Sequence, residues 1–442
     1  MALYGMFAPS VLGMTSQTRA MNTIGINIAN VNTGGYKEID TNFKSVFSDT
    51  INTTSDFGGV LPTEYNRISK QGFLQASNSN LDLAINGRGF FLLNSNSAGS
   101  GTELYGRDGA LALDSGDEIT LTDANGTEFT SNEGYLIDKN GYFLMGWPYD
   151  FSTGTVDTSG SPSGVRVDQF AFTDNFLATS TGELQLNIPA TADLNPDHSG
   201  AVTLANAGNA PDGFFSYTAQ IVDSAGTAQD LQLNFTKQAT NTWQMSVTTN
   251  NASDTLSPPQ TTPITLTFNP DGSIATPDPA TQTITATFAG TTATTGTMAL
   301  DISRITQFNG DFVPFSYEAN GFARSDLRSF AFDSDGNVVG RFADTTVRNL
   351  YKLPLVGFTN PDGLEPINGN VYKQSPDSGS PTLLEAGQSG IGSFVPNTLE
   401  LSNVDLADQF TRMILTQTAY NASSTAFKTN DEMLKSVGDL KR

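Results

Sequence analysis

Apolar residues recur at two different periods along this chain, and the change of period divides it. At the C-terminal end, stepping by seven from Leu399 meets Leu406, Met413, Tyr420, Phe427 and Leu434. Phe410, Ile414, Met433, Val437 and Leu440 lie beside that line. A stripe with this spacing predicts one long amphipathic helix over 401–442. Ser402 or Asn403, with Asp405 close behind, supplies its N-cap. The N-terminal end repeats the device: Phe7, Met14, Met21 and Ile28 are again seven apart, flanked by Leu3, Val11, Ile24 and Val31. This helix should stop within Asn27–Lys37, NIANVNTGGYK, where Asn30, Asn32, Gly34 and Gly35 favour a turn. An apolar stripe of that width needs cover, so the ends must pair with each other, with neighbouring copies, or with both.

Between the ends the pattern changes twice. Residues 38–75 are rich in Ser, Thr and Asn with sparse apolar residues (Phe43, Val46, Phe47, Ile51), which reads as an extended connector. From Leu81 the period becomes two. Short alternating runs are punctuated by Asn86-Gly87, Asp108-Gly109, Asn125-Gly126 and Asn140-Gly141, pairs that accept positive φ in hairpins. A Ser/Thr/Gly/Pro stretch at 148–164 marks a boundary. A second β-rich block follows, with strands expected at 182–188, 214–222, 231–235, 243–248, 264–268 and 284–288, turning at Asp212-Gly213 and Asp271-Gly272. Near Phe315 the style of the first block returns, with Asp335-Gly336 between two strands.

The fold class expected is therefore α+β and multidomain: a terminal α-helical coiled coil formed by the N- and C-terminal helices, with two nested β-rich domains (barrel or sandwich) inserted between them. The boundaries expected are 1–30 with 401–442 for the helices, 31–75 with 379–400 for the connector, 76–150 with 318–378 for the first β-rich domain, and 151–317 for the second, outer one.

Charge sharpens this layout. The net charge is −23, yet 1–36 carries only Arg19 and no acid, and 401–442 carries five acids against five bases. The negative charge thus belongs to the middle, suited to a solvated exterior, while near-neutral ends can crowd together. Residues 151–300 hold only Arg166 and Lys237 as bases, which argues against nucleic acid. No run is long and apolar enough for a membrane span, and the N-terminus lacks the cationic and compact apolar regions of a cleaved signal.

Candidate chemistry is sparse. With no Cys and a single His, thiolate chemistry, Cys-built metal sites and multi-histidine centres are excluded. A Ser-His-Asp triad would have to use His198, which lies in the loop-like NPDHSG. Asp333-Ser334-Asp335-Gly336-Asn337 invites a calcium reading, but its Gly stands fourth rather than sixth and no Glu stands twelfth, so a hairpin turn explains it better. No cofactor, metal or catalytic residue is expected, and the chain reads as a non-enzyme.

NIANVNTGGYK, with Asn27, Ala29, Asn30, Thr33, Gly35, Tyr36 and Lys37, together with Ser402–Arg442, with Ser402, Asn403, Val404, Asp405, Asp431, Glu432, Met433 and Leu434, resembles the paired ends of the bacterial flagellar rod and hook proteins. Inner stretches at 105–113, 141–146, 221–231, 301–308 and 357–372 resemble the hook branch of that family, as does the large middle insertion. The sequence departs from the family at Ile26, where a second Asn is common, at Ala225, where Leu is common, and at Gln229, often His. The resemblance implies a homopolymer: a short curved tube whose inner wall is built from the terminal helices, acting as a universal joint that passes torque from the rod to the filament around an export channel. It implies partners in the distal rod, hook cap, hook-length control and hook–filament junction proteins. It also implies export by the flagellar type III apparatus without a cleaved signal, to a place outside the cell, with no nucleic acid and no membrane insertion. A distal rod protein, or an extracellular β-rich adhesin or glycan hydrolase, are the alternatives.

Overall fold

The computed structural model describes residues 7–46, 59–122, 128–151, 153–172, 175–194, 213–257, 263–278, 280–289 and 293–439. His198, Asn125-Gly126, Asp212, Phe47, Ile51, Leu3 and Leu440 lie outside these residues. The chain divides into two compact units, one made of 1–150, 155–171 and 327–442, the other of 151–154 and 172–326. The second is inserted in the first, which the chain leaves at 151–154 and again at 172–326, giving the nested, mainly β architecture with helical ends.

In the first unit, α1 runs Ala8–Ala29 and α2 runs Leu406–Asp439. Pro9 opens α1, where a missing N–H costs nothing, and Asn30 closes it. The connector is not simply an extended arm. It folds into a hairpin, β1 (Ile39–Val46) against β2 (Gly59–Asn66), with Ile39 opposite Asn66 and Val46 opposite Gly59. The hairpin lies on α1, where Ser16 Oγ donates to Val60 O at 3.0 Å and Thr41 Oγ1 to Thr23 Oγ1 at 3.1 Å. Hydroxyl contacts let a polar strand pair dock without a core of its own, which a search for apolar residues does not register.

A sheet built from both halves of the chain follows. Phe90–Asn94 pairs with Glu103–Gly106, with Phe143–Asp150 and with Leu355–Gly357, and Val371–Lys373 adds to Glu103–Gly106. Its core holds Ile68, Phe90, Leu92, Tyr105, Met145, Val356, Leu364 and Tyr372. Asn140-Gly141 and Asp335-Gly336 are hairpin turns, Gly141 at φ 82 and Gly336 at φ 82. At the latter, Asp333 Oδ1 accepts from the N–H groups of Asp335 and Asn337, so the carboxylate closes the turn itself. Asn86-Gly87 and Asp108-Gly109 are not hairpin turns. Leu83–Gly87 leaves to pair with Gly392–Pro396, and Gly109 passes so close to Leu83 O that no Cβ would fit. The partner of Leu83–Gly87 lies more than 300 residues away, beyond the reach of local pattern, while Gly109 is fixed by its approach to Leu83.

The second unit is a sandwich. Strands at 214–222, 228–239, 242–249, 264–268 and 274–276 form an antiparallel meander. Facing it is a mixed sheet ordered 255–257, 281–288, 294–301, 181–189 and 305–308, with 313–319 also on 181–189. Alternate residues point inward: Leu184, Leu186, Leu231, Leu233, Phe235, Trp243 and Met245 are each fully buried. Strands at 155–156 and 163–164 pair with Phe143–Asp150, which places 155–171 in the first unit rather than with the second block.

Leu399, counted into the C-terminal helical stripe, is not helical. It sits in the strand Thr398–Glu400, opposite Gln75. The helix begins seven residues later because Asp405 is the cap, its Oδ1 accepting from Ala407 N at 2.8 Å and Asp408 N at 3.3 Å. Ser402 and Asn403 are not the cap, and Asn403 is instead drawn into the junction described next.

Candidate functional site at the junction of the two chain ends

The turn after α1 reverses the chain at Gly35. Its φ of 65° and a Cβ position only 2.8 Å from Asp108 N leave room for no other residue without strain. Tyr36–Asp40 then runs back beside α1 and meets the approach to α2. Gly35 N donates to Glu400 O at 2.8 Å and Asn403 N to Tyr36 O at 3.3 Å. The two sequence signatures, more than 360 positions apart, are thereby one structure.

Asn27, 1% exposed, is its centre. Its Oδ1 accepts from Ile39 N at 3.0 Å and Tyr36 Oη at 3.1 Å, and its Nδ2 donates to Ile39 O at 2.8 Å and Gln409 Oε1 at 3.2 Å. Gln409 in turn donates to Glu38 Oε1 at 2.9 Å. Asn403 Oδ1 accepts from Glu38 N at 2.6 Å, while its Nδ2 donates to the carbonyls of Arg67 and Lys70. Every polar atom of a buried amide is matched, so the network specifies one arrangement of α1, α2 and the hairpin. Burial, with Glu38 nearby, pushes the Tyr36 hydroxyl up to about 12.

Below lies an ion cluster without solvent. Glu400 Oε1 receives Lys37 Nζ at 2.5 Å and Gly72 N at 2.7 Å, and Oε2 receives Arg107 Nη1 at 3.3 Å. The side chains of Lys37, Glu400 and Arg107 are 1%, 0% and 0% exposed. Arg107 also lies 4.9 Å over the Phe90 ring and donates to Gly87 O at 2.7 Å. Two cations share one carboxylate. Burial, opposed by Glu400 and aided by Arg107, pushes the Lys37 ammonium down to about 8, and burial lowers Arg107 as well.

At the rim, Asp40 bridges the hairpin and α2 through Arg67 at 2.6 Å and Arg412 at 2.6 Å. Burial alone would raise its carboxyl, but the two guanidinium groups outweigh that and hold it below the usual carboxylate range. A depressed carboxyl stabilises the fold fully above its unfolded value of 3.8 and loses that contribution as pH falls through the folded value. Acid should therefore loosen the hairpin from α2, with Asp40 contributing about 1 kcal/mol between partly exposed partners. Thermal melts of Asp40→Asn and the parent from pH 6 to pH 2.5 check this: the stability gap should close in acid.

The helices themselves pack antiparallel. Phe7 meets Phe427 at 5.0 Å between ring centroids, Gly13 faces Ser423, and Asn27 meets Gln409. The fully buried line on α1 is Ser16, Ala20, Thr23, Ile24 and Asn27, offset from Phe7, Met14, Met21 and Ile28, which are half-buried. Among the described residues of α2, only Gln409 and Thr416 are buried; Met413, Phe427 and Leu434 are half-buried, and Leu406, Phe410 and Tyr420 are exposed. Ile414 and Leu415 are 64% and 65% exposed. The seam between the helices is thus small and polar, and most of the apolar stripe faces away from it. Of the signature residues, Gly35, Tyr36, Lys37 and Asn403 are buried, Asn30, Thr33, Ser402, Val404 and Asp431 half-buried, and Ala29, Asp405, Glu432 and Met433 exposed.

Glu38, Arg107, Glu400 and Gln409 belong to this junction and escape a reading by apolar period. Gln409, Thr416, Ser423 and Asn430 do recur every seven residues beside the apolar line, a signal visible only when small polar side chains are scanned as interface residues. The arrangement offers no nucleophile beside a base and, among the described residues, no group of three or more His, Asp or Glu placed to hold a metal. What it can do is brace two helices and a hairpin at a fixed angle while leaving one helix face uncovered.

Family models match at three places: Flagella basal body rod protein at 10–37, Flagellar basal body rod FlgEFG protein C-terminal at 395–440, and Flagellar basal body protein FlaE D2 domain at 187–322. The first two contain the two sides of the junction, and the third lies in the sandwich. The Flagellar hook protein FlgE of Rhizobium meliloti is 32% identical over 100% of both chains. That of Brucella abortus is 30% identical over 100% of both, and that of Escherichia coli 27% identical over 98% of this chain and 100% of its own. A crystal structure of Helicobacter pylori flagellar hook protein FlgE2 superposes with a TM-score of 0.47 at 14% identity, covering 74% of this chain and 100% of that one. With end-to-end similarity at this level and both terminal signatures joined in one buried network, the chain belongs to the bacterial flagellar hook protein family.

Proposed function

We propose that this chain is the repeating structural subunit of a flagellar hook, assembling with copies of itself into a curved tube that transmits torque as a universal joint and encloses an export channel. The observation that carries the self-assembly is the uncovered stripe on α2. Phe410, Ile414, Leu415 and Tyr420 are exposed on a helix of 34 residues, about 50 Å long. Covering the part of each that is still exposed is worth about 1–2 kcal/mol, a drive for side-by-side stacking. In this reading 1–30 and 401–442 line the tube, 31–75 and 379–400 connect, 76–150 and 318–378 form the next layer, and 151–317 lies outermost with the acidic surface. The tube stands outside the cell, after type III export without a cleaved signal, between the distal rod and the junction proteins, with cap and length-control proteins acting during growth. Such a subunit is a mechanical element rather than an enzyme. Electron micrographs of the concentrated protein test this: curved tubes are expected. Straight rigid tubes would favour a distal rod role, and a monomer under all conditions, or glycan turnover, would favour an adhesin or hydrolase.

A further inference from the structure

Six Asn-Gly pairs occur in the chain, and five of them lie among the described residues, beginning at Asn86, Asn140, Asn309, Asn320 and Asn368. Such a pair is chemically unstable where the backbone can turn. Glycine has no side chain to shield its nitrogen, so that nitrogen can approach the side-chain carbonyl carbon of the asparagine before it. The approach requires the planar peptide between the two residues to swing as a unit, and every hydrogen bond to that plane or to the asparagine amide opposes it.

Four of these five pairs are held. Gly87 N donates to Gln71 Oε1 at 3.1 Å at the end of a strand pair in which Asn86 stands opposite Ser393. Gly141 N donates to Asp138 O at 3.1 Å, while Asn140 Nδ2 donates to Asp138 Oδ2 at 2.7 Å and to Gly369 O at 3.0 Å. Asn320 is gripped at both ends of its amide: Oδ1 accepts from Ser180 N at 2.9 Å and Thr181 N at 3.0 Å, and Nδ2 donates to Ser180 Oγ at 2.8 Å. Behind Asn368 the turn is pinned twice, by the Asn140 bond to Gly369 O and by Asn370 Nδ2 donating to Gly34 O at 3.0 Å.

Asn309-Gly310 differs. The pair lies between the strands 305–308 and 313–319 of the second unit, both residues are exposed, and among the described residues neither Asn309 O, Gly310 N nor the Asn309 amide has a hydrogen-bond partner. A Cβ placed on Gly310 would meet nothing within 4 Å. The flanks are clamped by one side chain: Asn187 Oδ1 accepts from Phe308 N at 2.9 Å, and Asn187 Nδ2 donates to Asp311 O at 3.1 Å. The chain is fixed just outside the pair and free within it.

We propose that Asn309 is a site of spontaneous covalent modification, singled out by the fold from the other described Asn-Gly pairs. Gly310 N, having lost its proton to hydroxide, bonds to Asn309 Cγ; the Cγ–Nδ2 bond breaks and that nitrogen leaves as ammonia, closing a cyclic imide. Water then opens the ring at either carbonyl and leaves an aspartate or an isoaspartate at this position. Each event exchanges a neutral amide for a carboxylate, adding negative charge to the acidic middle of the chain. The isoaspartate product also inserts one carbon into the main chain between the two anchors of Asn187. None of this depends on self-assembly, so the inference and the proposed function stand or fall separately.

Trypsin releases residues 305–324, bounded by Arg304 and Arg324, as one peptide that contains both Asn309 and Asn320, so a free and a held site are compared in one fragment. The full chain is incubated at pH 8.5, sampled over time, digested briefly near neutrality, and conversion at each asparagine is read by tandem mass spectrometry. In the folded chain Asn309 should convert at least about tenfold faster than Asn320, the equivalent of about 1.4 kcal/mol for opening the held site. In concentrated urea the two rates should converge, because each asparagine then precedes a glycine on an unrestrained backbone. Equal rates in the folded chain overturn the inference. A difference that persists in urea overturns it as well, by placing the cause in local sequence rather than in the fold.

Discussion

Replacing Glu400 by Gln should destabilise the first unit by about 3–5 kcal/mol. The carboxylate is the counter-charge for Lys37 and Arg107, both without solvent. Removing its charge strands two cations where water cannot reach, and the Gln amide adds donors toward groups that already donate. Lys37 can respond by shedding its proton, Arg107 cannot. A lysine whose folded pKa lies below its unfolded value is penalised while protonated, and the penalty fades as pH rises. In the parent that folded value is about 8. The part of the deficit due to Lys37 should therefore close as pH approaches about 8, leaving the part due to Arg107. Urea unfolding of Glu400→Gln and the parent at pH 6 and pH 8.5 measures both parts. A variant within 1 kcal/mol of the parent at pH 6 would mean the cluster is not closed to water. Changing all three residues to apolar ones of similar size should recover much of the loss, because a buried ion cluster specifies an arrangement more than it stabilises one.

The second large effect is on assembly and leaves folding alone. Ile414→Asp and Tyr420→Asp place a carboxylate on the uncovered face of α2, at positions 64% and 40% exposed. In the separate chain the new charge stays hydrated, so unfolding free energy should move by no more than about 0.5 kcal/mol. In a stacked polymer the same carboxylate would be buried unpaired at a cost of several kcal/mol per copy, repeated at every subunit. Tube formation should fall below detection in sedimentation and electron microscopy while circular dichroism and the melting temperature match the parent. Normal tubes from either variant would remove the stripe from the assembly surface. The two experiments separate the two roles of the chain ends: Glu400 lies in the network that holds the helices in place, and Ile414 on the face that the network leaves open.

What could be seen in the order of residues was whatever depends on near neighbours. The seven-residue apolar period marked both terminal helices because two turns of a helix bring i and i+7 to one face. Alternation marked the sandwich strands, with 214–222 and 264–268 at their observed limits, because a pleated strand sends alternate side chains to opposite sides. Positive-φ pairs marked the turns at Gly141 and Gly336. The signatures at 27–37 and 402–442 were visible too, as was the placing of net negative charge in the middle.

Tertiary structure alone decided what those signatures do. Nothing local says that Asn27 will find Gln409, that Glu400 will take both Lys37 and Arg107, or that Asn403 will leave the helix cap to Asp405. Burying a charge or an amide is tolerable only when its partners arrive together, and here they arrive from segments separated by most of the chain. The same holds for the connector, whose hydroxyl-bearing strands become a hairpin only because α1 offers Ser16 and Thr23 to meet them. Period and composition report how a segment can bury its apolar side chains; which polar groups may be buried is settled by what stands opposite them in space.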